Sequence, residues 1–557
     1  MISFELYKRR IIMEKFVSYE QFGAIGDGAH DDFEALAAAH AYANENGLTV
    51  KAKSDATYYV GEKFTRSIPV DYSIDFNGAH FIINDTVENA FELRSLPLFL
   101  IKRKKSLVIE GEQIAQMLGE GITVEKGATA LPFLSTVLTE DSFVRLTNAD
   151  HRDFVRFGSN QNAGTPRQDV MIVYKDGTID PSTYPAFGYE KLTKVEIFPE
   201  KEELITIKNG NFASICCRSV KETEFKNLYR SYQRGFRVER ADVTFENMTH
   251  KMLDEPPVIT DSGMDELTPR YGERNESYPY QGFIVAMLAN RLTIKDCLLT
   301  SHTTYYEDKP ATVSTGWKVP NPVPMGSYDL YFHYSNKVSL INLKHQCDTG
   351  LGDRRYWGIM ASNYCKNFYL DGCEMNRFDA HQGFWGGVLK NCTFGFDINL
   401  TGGGDLYVEN VTKLTGDNFF SLRGDYGSSF EGRIFMKNCR HMGTCTYNTS
   451  FGYGLPHSKL SELNLMSMRY VGSGELFYNW DFGYELYLPI EVTIEGFSCD
   501  AECPVYVCSS EKNERFENPY KHQHAITKRI TFRNTDPIPT CASDESTLLG
   551  AVPVIIE

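Results

Sequence analysis

The chain has 557 residues, of which 42% are apolar, and a net charge of −16 at pH 7 with a pI near 5.4. This acidic balance argues against nucleic acid as a partner, because phosphate binding needs a basic face. No segment approaches about 18 uninterrupted apolar residues, so no membrane span is expected. Residues 1–15 are treated as an N-terminal extension. They are basic but lack the apolar core of a secretory signal, which predicts a cytoplasmic protein.

Residues 16–94 are predicted to form an N-terminal cap and a first coil. A glycine turn comes first, and Asp31 or Asp32 is then a suitable N-cap for a helix. We expect this helix to run to about Asn46 and to end at Gly47, since glycine commonly follows the last helical turn.

Residues 95–203 interrupt the pattern of the rest of the chain. The segments SFVRLTN (142–148) and DVMIVYKDG (169–177) alternate apolar and polar residues, and the second ends in an Asp-Gly turn pair. Such segments are typical of antiparallel hairpins. We therefore predict an inserted antiparallel β subdomain packed on the flank of the main fold. Its polar stretch at 159–169 is either plain surface or a ligand contact.

Residues 204–557 contain a short phrase that returns at nearly constant intervals. It reads LDGC at 370–373, LKNC at 389–392, VENV at 408–411 and MKNC at 436–439, with offsets of 19, 19 and 28 residues. A period of about 20 to 25 residues indicates a solenoid of stacked β coils. Further copies are IKNG (207–210), FKNL (225–228), FENM (245–248), IKDC (294–297), LINL (340–343), IEGF (494–497) and FRNT (532–535).

The motif FGAIGDGAHDDFEAL at 22–36, with the repeats, resembles the pectate-lyase-like right-handed parallel β-helix superfamily. That superfamily contains polygalacturonases, polysaccharide lyases and phage tailspikes. The resemblance implies an all-β fold: a right-handed parallel β-helix solenoid with an N-terminal capping helix and, here, the inserted subdomain. The polygalacturonase motifs NTD, DD, GHG and RIK do not follow one another in successive coils here, so no catalytic residue is transferred by motif.

Two long intervals separate repeat phrases between 247 and 342. Each could hold two coils or one coil with a long loop. Their content, at about 250–282 and 301–327, is rich in Pro, Gly, Tyr and charge. Long loops in compact repeat proteins are usually functional, so we expect them to wall a groove.

The strands between the repeat phrases place polar side chains on one outward face. Phe378 and Ala380 point inward in the first coil, and the following coils show the same alternation. Aligned by phase, the outward columns read Arg377/Asp397/Ser421, Asp379/Asn399/Arg423 and His381/Thr401/Asp425. A plain salt-bridge ladder is the alternative, but these outward slots contain no Lys or Glu. The pattern therefore favours a site.

Clustered carboxylates favour glycoside hydrolysis, which needs a proton donor and a base or nucleophile about 5 to 10 Å apart. The predicted catalytic residues are Asp379, Asp425, Asp397 and His381. The predicted substrate-binding residues are Arg377, Arg423, Arg354, Arg355, Asp353, Tyr331, His333 and Trp357. The substrate would be a poly- or oligosaccharide, with no metal and no cofactor.

Two alternatives stay open. A polysaccharide lyase would use the arginines as base and clamp, with Ca²⁺ a possible cofactor on Asp329, Asp348 or Asp353. A non-catalytic, tailspike-like glycan-binding protein would sit on a virion tail or surface appendage rather than in the cytoplasm. A homo-oligomer is possible in every case.

Cysteines recur in the last position of the repeat phrase, at Cys297, Cys373, Cys392 and Cys439. No CxxC pair has metal-ligand spacing. We therefore predict a ladder of small, buried free thiols.

Overall fold

The computed structural model describes residues 16–87, 90, 92–154, 164–215, 233–253, 281–300, 303–306, 323–326, 328–346, 351, 358–423, 430–446, 456–460, 462–469, 486–487, 489–507, 523–524, 526–535, 539 and 554–557. Across these ranges the chain winds as a right-handed parallel β-helix with three faces, which confirms the predicted fold class. No helix among these residues is long and apolar enough to cross a membrane.

The first face, sheet I, is a sheet of 14 parallel strands. Each coil contributes one strand. In spatial order the strands are Phe16–Val17, Thr49–Lys51, Ile74–Asp75, Ile205–Lys208, Ala241–Glu246, Asn290–Lys295, Asn336–Ile341, Cys365–Asp371, Phe384–Lys390, Gly402–Glu409, Arg433–Lys437, Glu491–Glu495, Arg529–Arg533 and Val554–Ile556.

The other two faces, sheets II and III, form one sheet of 22 strands. They join because Glu374–Asp379 and Thr393–Leu400 run through both. Sheet II also contains Asp27–Asp31, Thr57–Val60, His80–Asn84, Asn211–Ile215, Thr249–Leu253, Leu298–Thr300, Lys344–Gln346, Thr412–Thr415, Arg440–Thr446, Ser498–Cys499 and, antiparallel at its edge, Pro456–Lys459. Sheet III also contains Ile68–Pro69, Phe99–Lys102, Phe236–Glu239, Gln281–Met287, Tyr328–His333, Ile359–Ser362, Asn418–Arg423, Leu463–Arg469 and Val505–Tyr506.

The core runs along the axis of the solenoid as columns of like residues. Leu340, Leu370, Leu389 and Val408 pair in register on successive coils, and each is at most 1% exposed. Parallel strands bring equivalent positions to the same level, so every added coil extends the same apolar column. The predicted thiol ladder is also confirmed: its four cysteines are buried and free. They are Cys297, Cys373, Cys392 and Cys439.

The repeat phrase marks the turn from sheet I to sheet II. Its third residue adopts a left-handed backbone, with φ of 53° at Asn391, 54° at Asn410 and 51° at Asn438. Asparagine tolerates this conformation better than other residues with a side chain. The Asn410 amide donates to Asn391 Oδ1 at 2.9 Å, so the turns form a hydrogen-bonded ladder. The sequence repeat therefore reflects the left-handed residue that each coil needs at this turn.

Replacing Asn410 with alanine should lower the free energy of unfolding by about 1–2 kcal/mol, because alanine lacks the amide and resists a left-handed backbone. Asn410→Gly removes the same amide but accepts the conformation, so it should cost less. Thermal midpoints of the two variants check this. Equal losses would show that the turn conformation does not matter.

The strand pairing shows how many coils lie between neighbouring repeat phrases. Ala241–Glu246 pairs directly with Asn290–Lys295, which pairs with Asn336–Ile341, so each long interval holds one coil and a long loop. Ile205–Lys208 pairs directly with Ala241–Glu246. The phrase at 225–228 lies outside the described residues.

The N-terminal motif closes the first coil. The helix spans Phe33–Asn46, with Asp32 as N-cap residue and Gly47 after it in a left-handed conformation. The Asp32 carboxylate accepts hydrogen bonds from the amides of Ile25 (2.7 Å) and Gly26 (3.1 Å) and so ties the glycine turn to the helix start. The remaining helical segments are Glu112–Met117 and the 3₁₀ turns Tyr19–Phe22, Pro132–Leu134 and Pro181–Thr183.

The predicted inserted β subdomain is present as a four-stranded antiparallel sheet. Its strands are Leu107–Glu110, Ser142–Asp153, Thr165–Val173 and Lys194–Pro199. Phe143, Val170, Ile172 and Phe198 form an apolar cluster that also packs against Tyr334 and Leu288 of the solenoid. The subdomain therefore lies along the corner between sheets III and I. The short pairs Thr303–Tyr306 with Val323–Gly326 and Leu486–Tyr487 with Gln523–His524 complete the strands.

Several buried histidines are held neutral by the fold. Burial lowers the pKa of His40 and of His441 to about 3 and that of His345 to about 4. Burial, with Arg237 adding to it, also lowers the pKa of His333 to about 3. In the unfolded chain these groups titrate near pH 6.5.

We expect the free energy of unfolding to fall as pH drops below about 6.5, because the unfolded histidines then bind protons that the folded ones do not. Each contributes up to about 1.4 kcal/mol per pH unit. Asp85 has the opposite effect on stability. Burial raises its pKa to about 6, so near this pH the folded chain binds a proton that the unfolded chain does not, which increases the free energy of unfolding as pH falls. Thermal midpoints at pH 7.5 and 5.5 measure the slope. His40→Phe should make it shallower, and an unchanged slope would contradict this account.

Candidate active site

Two consecutive coils place polar side chains on the outer face of sheet III. Phe378 and Ile398 pair in register and are completely buried in the core. Residues on either side of them in each strand therefore project outward, because strand side chains alternate. The inward and outward assignment from the sequence is confirmed for these coils.

The register of the two coils brings the predicted residues together. Arg377 pairs with Asp397, and Asp379 pairs with Asn399. Neighbouring strands are about 4.8 Å apart, so the two aspartates lie on one face at adjacent levels. The structure therefore supports the first two members of the columns that begin with Arg377 and Asp379.

Asp379 is the centre of the cluster. Its Oδ2 accepts hydrogen bonds from Arg377 Nη2 and from the hydroxyl of Tyr328. His381 Nε2 lies 2.7 Å from the same oxygen. Asp379 is completely buried, and the side chains of Arg377 and His381 are 11% and 19% exposed. Two hydrogen bonds to one oxygen, one of them from a cation, stabilise the carboxylate.

Tyr328 was not among the residues predicted for the site. It lies 51 residues before Asp379 in the sequence and is 1% exposed. Its hydroxyl reaches the cluster from an earlier strand of sheet III. No periodicity in the sequence indicates such a contact, since the strand of Tyr328 is separated from that of Asp379 by a whole coil.

The predicted third member of the columns that begin with Arg377 and Asp379 is wrong by two residues. Ser421 pairs with Asn399, not with Asp397, and Arg423 pairs with Arg469 at the far end of its strand. Phe420 and Leu422 are nevertheless buried, as predicted. The shift arises at the corner before this strand.

The open trough expected from the sequence is also corrected. Asp379, Asn399 and Thr401 are completely buried, and Asp397 is 5% exposed. These outward-facing side chains are covered rather than solvated. A buried charged cluster must satisfy its groups internally, which accounts for the donors that converge on Asp379.

Several predicted site residues lie outside the described residues: Asp353, Arg354, Arg355, Trp357 and Asp425, together with Asp348 of the calcium alternative. Arg423 ends the strand Asn418–Arg423. The predicted groove-wall loops, at about 250–282 and 301–327, fall largely outside the described ranges as well.

Tyr331 and His333 are neighbours on the strand Tyr328–His333. Their ring centroids are 3.9 Å apart in an edge-to-face arrangement, and the Asn363 amide contacts His333 Nδ1. The lowered pKa of His333 leaves its ring neutral at pH 7. His333 can therefore accept or donate a hydrogen bond to a sugar hydroxyl but cannot pair as a cation with an acidic sugar.

Asp329, a possible Ca²⁺ ligand in the lyase alternative, is only 3% exposed. Its carboxylate lies 3.1 Å from His250 Nδ1 and accepts a hydrogen bond from Thr300 N at 2.8 Å. His250 Nε2 lies 3.0 Å from Ser214 Oγ. This Ser-His-Asp row is almost inaccessible to solvent, so it serves the packing between coils rather than a substrate.

The glycines near the site form the solenoid corner. A Cβ on Gly402 would collide with the backbone of Phe384, and one on Gly404 would lie 2.7 Å from Gly386 N. These contacts show that the glycines permit a tight corner of the solenoid. Among the described residues, no group of three or more His, Cys, Asp and Glu side chains is arranged to hold a metal ion.

No family model matches the chain. The capsule KL64-specific depolymerase of Klebsiella phage P510 is 24% identical over 504 residues. The match covers 87% of this chain and 42% of that protein, so the chain spans about two fifths of the length of this curated relative.

Solved structures that resemble the chain include two tailspikes of Pseudomonas phages, gp61 of phi297 and gp49 of LKA1. Each is 12% identical with a TM-score of 0.48, and each match covers 97% of this chain and 84% of the tailspike. The tailspike of E. coli bacteriophage HK620, solved with a pentasaccharide, is 9% identical with a TM-score of 0.42, and the match covers 95% and 67%. At these scores the architecture rests on the strand pairings of the chain itself, which show a right-handed parallel β-helix.

Proposed function

We propose that this chain degrades a bacterial surface polysaccharide by hydrolysing its glycosidic bonds at the Asp379 cluster. The observation that carries the proposal is the convergence of Arg377, Tyr328 and His381 on Asp379, with Asp397 one coil away. Two carboxyl groups on one face are what glycoside hydrolysis requires. The similarity to a capsule depolymerase supports a bacterial capsule as the source of the glycan.

The two aspartates take different roles in this proposal. Asp379, which accepts hydrogen bonds from Arg377 and Tyr328 and has His381 Nε2 2.7 Å away, is the base or nucleophile. Asp397 is the proton donor to the leaving oxygen. Arg377 lies between them, since it contacts Asp379 and pairs in register with Asp397, so it can hold their relative positions. His381 tunes Asp379 or binds a sugar hydroxyl.

The remaining predicted binding residues stay part of the proposal as sugar contacts. Arg354, Arg355, Asp353, Trp357 and Arg423 would bind the chain of the glycan, and Asp425 would be a further acid. Tyr331 and His333 present an aromatic edge and a neutral imidazole on the same sheet. No cofactor is required by this scheme.

Incubation of the purified protein with a panel of capsular polysaccharides tests the proposal. We expect one or a few of them to be shortened, with new reducing ends and without new ultraviolet absorption. Size-exclusion chromatography with mass detection identifies the products. A panel left intact at every serotype would overturn the proposal.

Elimination by a lyase is the second candidate, and one observation favours it. Tyr328, His381 and Arg377 together supply a hydroxyl, an imidazole and a guanidinium, the groups that a β-elimination uses to take a proton and to neutralise a uronate. A lyase leaves an unsaturated sugar at each new end. Ultraviolet absorption that grows with the number of ends would therefore assign elimination.

We also infer that the chain works on a virion tail rather than in the cytoplasm. The phage depolymerase and tailspikes that it resembles support this location. Mass spectrometry of virions purified by density gradient should find the chain in them. Its recovery only from the cell lysate would support the cytoplasmic alternative.

A further inference from the structure

Asn399 has a side chain that the fold leaves unpaired. The residue is completely buried, and neither its Nδ2 nor its Oδ1 has a hydrogen-bond partner in the part of the chain that the structure describes. Its backbone is engaged in the ordinary way, since Ala380 N donates to Asn399 O at 3.1 Å. Buried polar atoms without partners are rare and costly, so this amide requires an explanation.

The unpaired amide lies inside the proposed active site. Asn399 is the direct cross-strand neighbour of Asp379 on one side and of Ser421 on the other. It projects from the same outer face as Asp397, two residues earlier in its own strand. An unmet donor and an unmet acceptor therefore stand beside the proposed base and close to the proposed proton donor.

Other buried amides of the solenoid are satisfied. Asn336 is also completely buried, yet its Nδ2 donates to Asn290 Oδ1 at 3.0 Å and its Oδ1 accepts from Asn367 Nδ2 at 2.9 Å. The fold thus provides partners for a buried asparagine where the role is structural. The contrast places the unmet pair of Asn399 at the site and not in the general architecture.

We propose that Asn399 is a substrate-binding residue whose amide holds two neighbouring hydroxyls of one sugar ring beside Asp379. This inference rests on the proposed function and deepens it, since it gives the glycan a ring with a free vicinal diol at the cleavage site. One hydroxyl accepts from Nδ2 while its neighbour donates to Oδ1. Because the amide is covered in the free chain, glycan binding has to move the groups above it.

Other sugar substituents fit the amide less well. The N–H and C=O of an acetamido group point in opposite directions, because the amide is trans, so one group cannot meet both atoms of Asn399. A uronate carboxylate offers only acceptors and would leave Oδ1 unpaired. It would also stand next to the Asp379 carboxylate. A vicinal diol supplies both a donor and an acceptor on adjacent atoms.

Stability measurements test whether the amide is vacant, whatever the activity of the protein. Asn399→Leu replaces an unpaired amide by a side chain of similar size, so its thermal midpoint should equal or exceed that of the wild type. Asn336→Leu is the matched control and should melt several degrees lower, because it strands two hydrogen-bond partners. An equal fall in both variants would show that Asn399 has a structural partner or a bound water and would overturn the inference.

Kinetics on a polysaccharide that the wild type cleaves test the role in binding. Asn399→Leu should raise KM about tenfold or more, the loss expected for one or two hydrogen bonds, with kcat changed much less. A lower kcat at unchanged KM would mean that Asn399 acts only through Asp379. That result, or unchanged kinetics, would overturn the inference.

A bacterial glycan array separates this inference from the proposed function. The wild-type chain should retain glycans whose repeat contains a ring with two free adjacent hydroxyls, and Asn399→Leu should lose them. If the wild-type chain retains such glycans but does not cleave them, the proposed hydrolysis is wrong and the inference about Asn399 still holds. Retention that is equal for both proteins, or no retention by the wild type, would overturn it.

Discussion

Asp379→Asn is expected to lower the rate of glycan cleavage about a thousandfold, within the range that a general acid or base supplies. The asparagine keeps the shape of the side chain but cannot act as base or nucleophile. It also withdraws the negative charge that Arg377 and His381 face. Initial rates of reducing-end formation, at saturating and at low polysaccharide, measure the loss.

Controls separate chemistry from folding in this experiment. Removing Asp379 leaves the Arg377 cation mostly buried, so circular dichroism and the thermal midpoint must show that the variant is folded. Asp405→Asn makes the same chemical change on sheet I, where Asp405 pairs with Arg433, and should leave the rate unchanged. Tyr328→Phe removes one donor to Asp379 and should have a smaller effect. A folded Asp379→Asn with full activity would remove Asp379 from the catalytic set.

Lys366→Met should lower the free energy of unfolding by about 3–5 kcal/mol, the usual cost of leaving one member of a buried ion pair alone. Lys366 Nζ lies 2.8 Å from Asp169 Oδ1, and the two side chains are 2% and 0% exposed. Burial raises the pKa of Asp169 and lowers that of Lys366, in both cases against the pull of the partner. The pair joins the inserted subdomain to sheet I, so its loss should loosen this junction.

A double replacement shows whether the cost comes from the stranded charge. Lys366→Met with Asp169→Leu removes both charges and should recover much of the lost stability, because apolar pairs can replace buried ion pairs. Lys337→Met, which breaks the partly exposed contact of Lys337 with Asp180, should cost about 1 kcal/mol or less. Denaturant midpoints of the four proteins give the comparison. A Lys366→Met variant as stable as the wild type would contradict the account.

The coil architecture could be predicted because its signal is local. Each repeat phrase in the described part of the chain contains the residue that takes the left-handed turn, and four of them also contain the buried thiol. The same holds for the cap, where Asp32 and the glycine turn are six residues apart and bond directly. These patterns reflect backbone and packing requirements that recur at fixed positions.

The register of the third coil could not be read from the same pattern. A shift of two residues keeps the alternation of buried and outward positions, so Phe420 and Leu422 satisfy both alignments. The true register depends on the corner, where the single continuous strand of each of the two preceding coils is replaced by the strands Thr412–Thr415 and Asn418–Arg423. Hydrophobic periodicity carries no information about such a corner.

The burial of the site could not be predicted from the sequence either. Arginine, aspartate and histidine on an outward face suggested contact with solvent, yet Asp379 has no exposed surface. Its Tyr328 contact comes from a residue 51 positions earlier in the sequence. The unpaired amide of Asn399 likewise became visible only with coordinates.

The attachment of the inserted subdomain has a mechanical consequence. It contacts successive levels of sheet I at Arg291, Lys337, Lys366, Trp385 and Glu431. A solenoid without such contacts can unfold one coil at a time, since each coil contacts only its neighbours. Because the subdomain contacts several coils, these coils should unfold together. The part of the solenoid that carries Asp379 should therefore resist mechanical unfolding and proteolysis as one unit, while the coils beyond it unfold first.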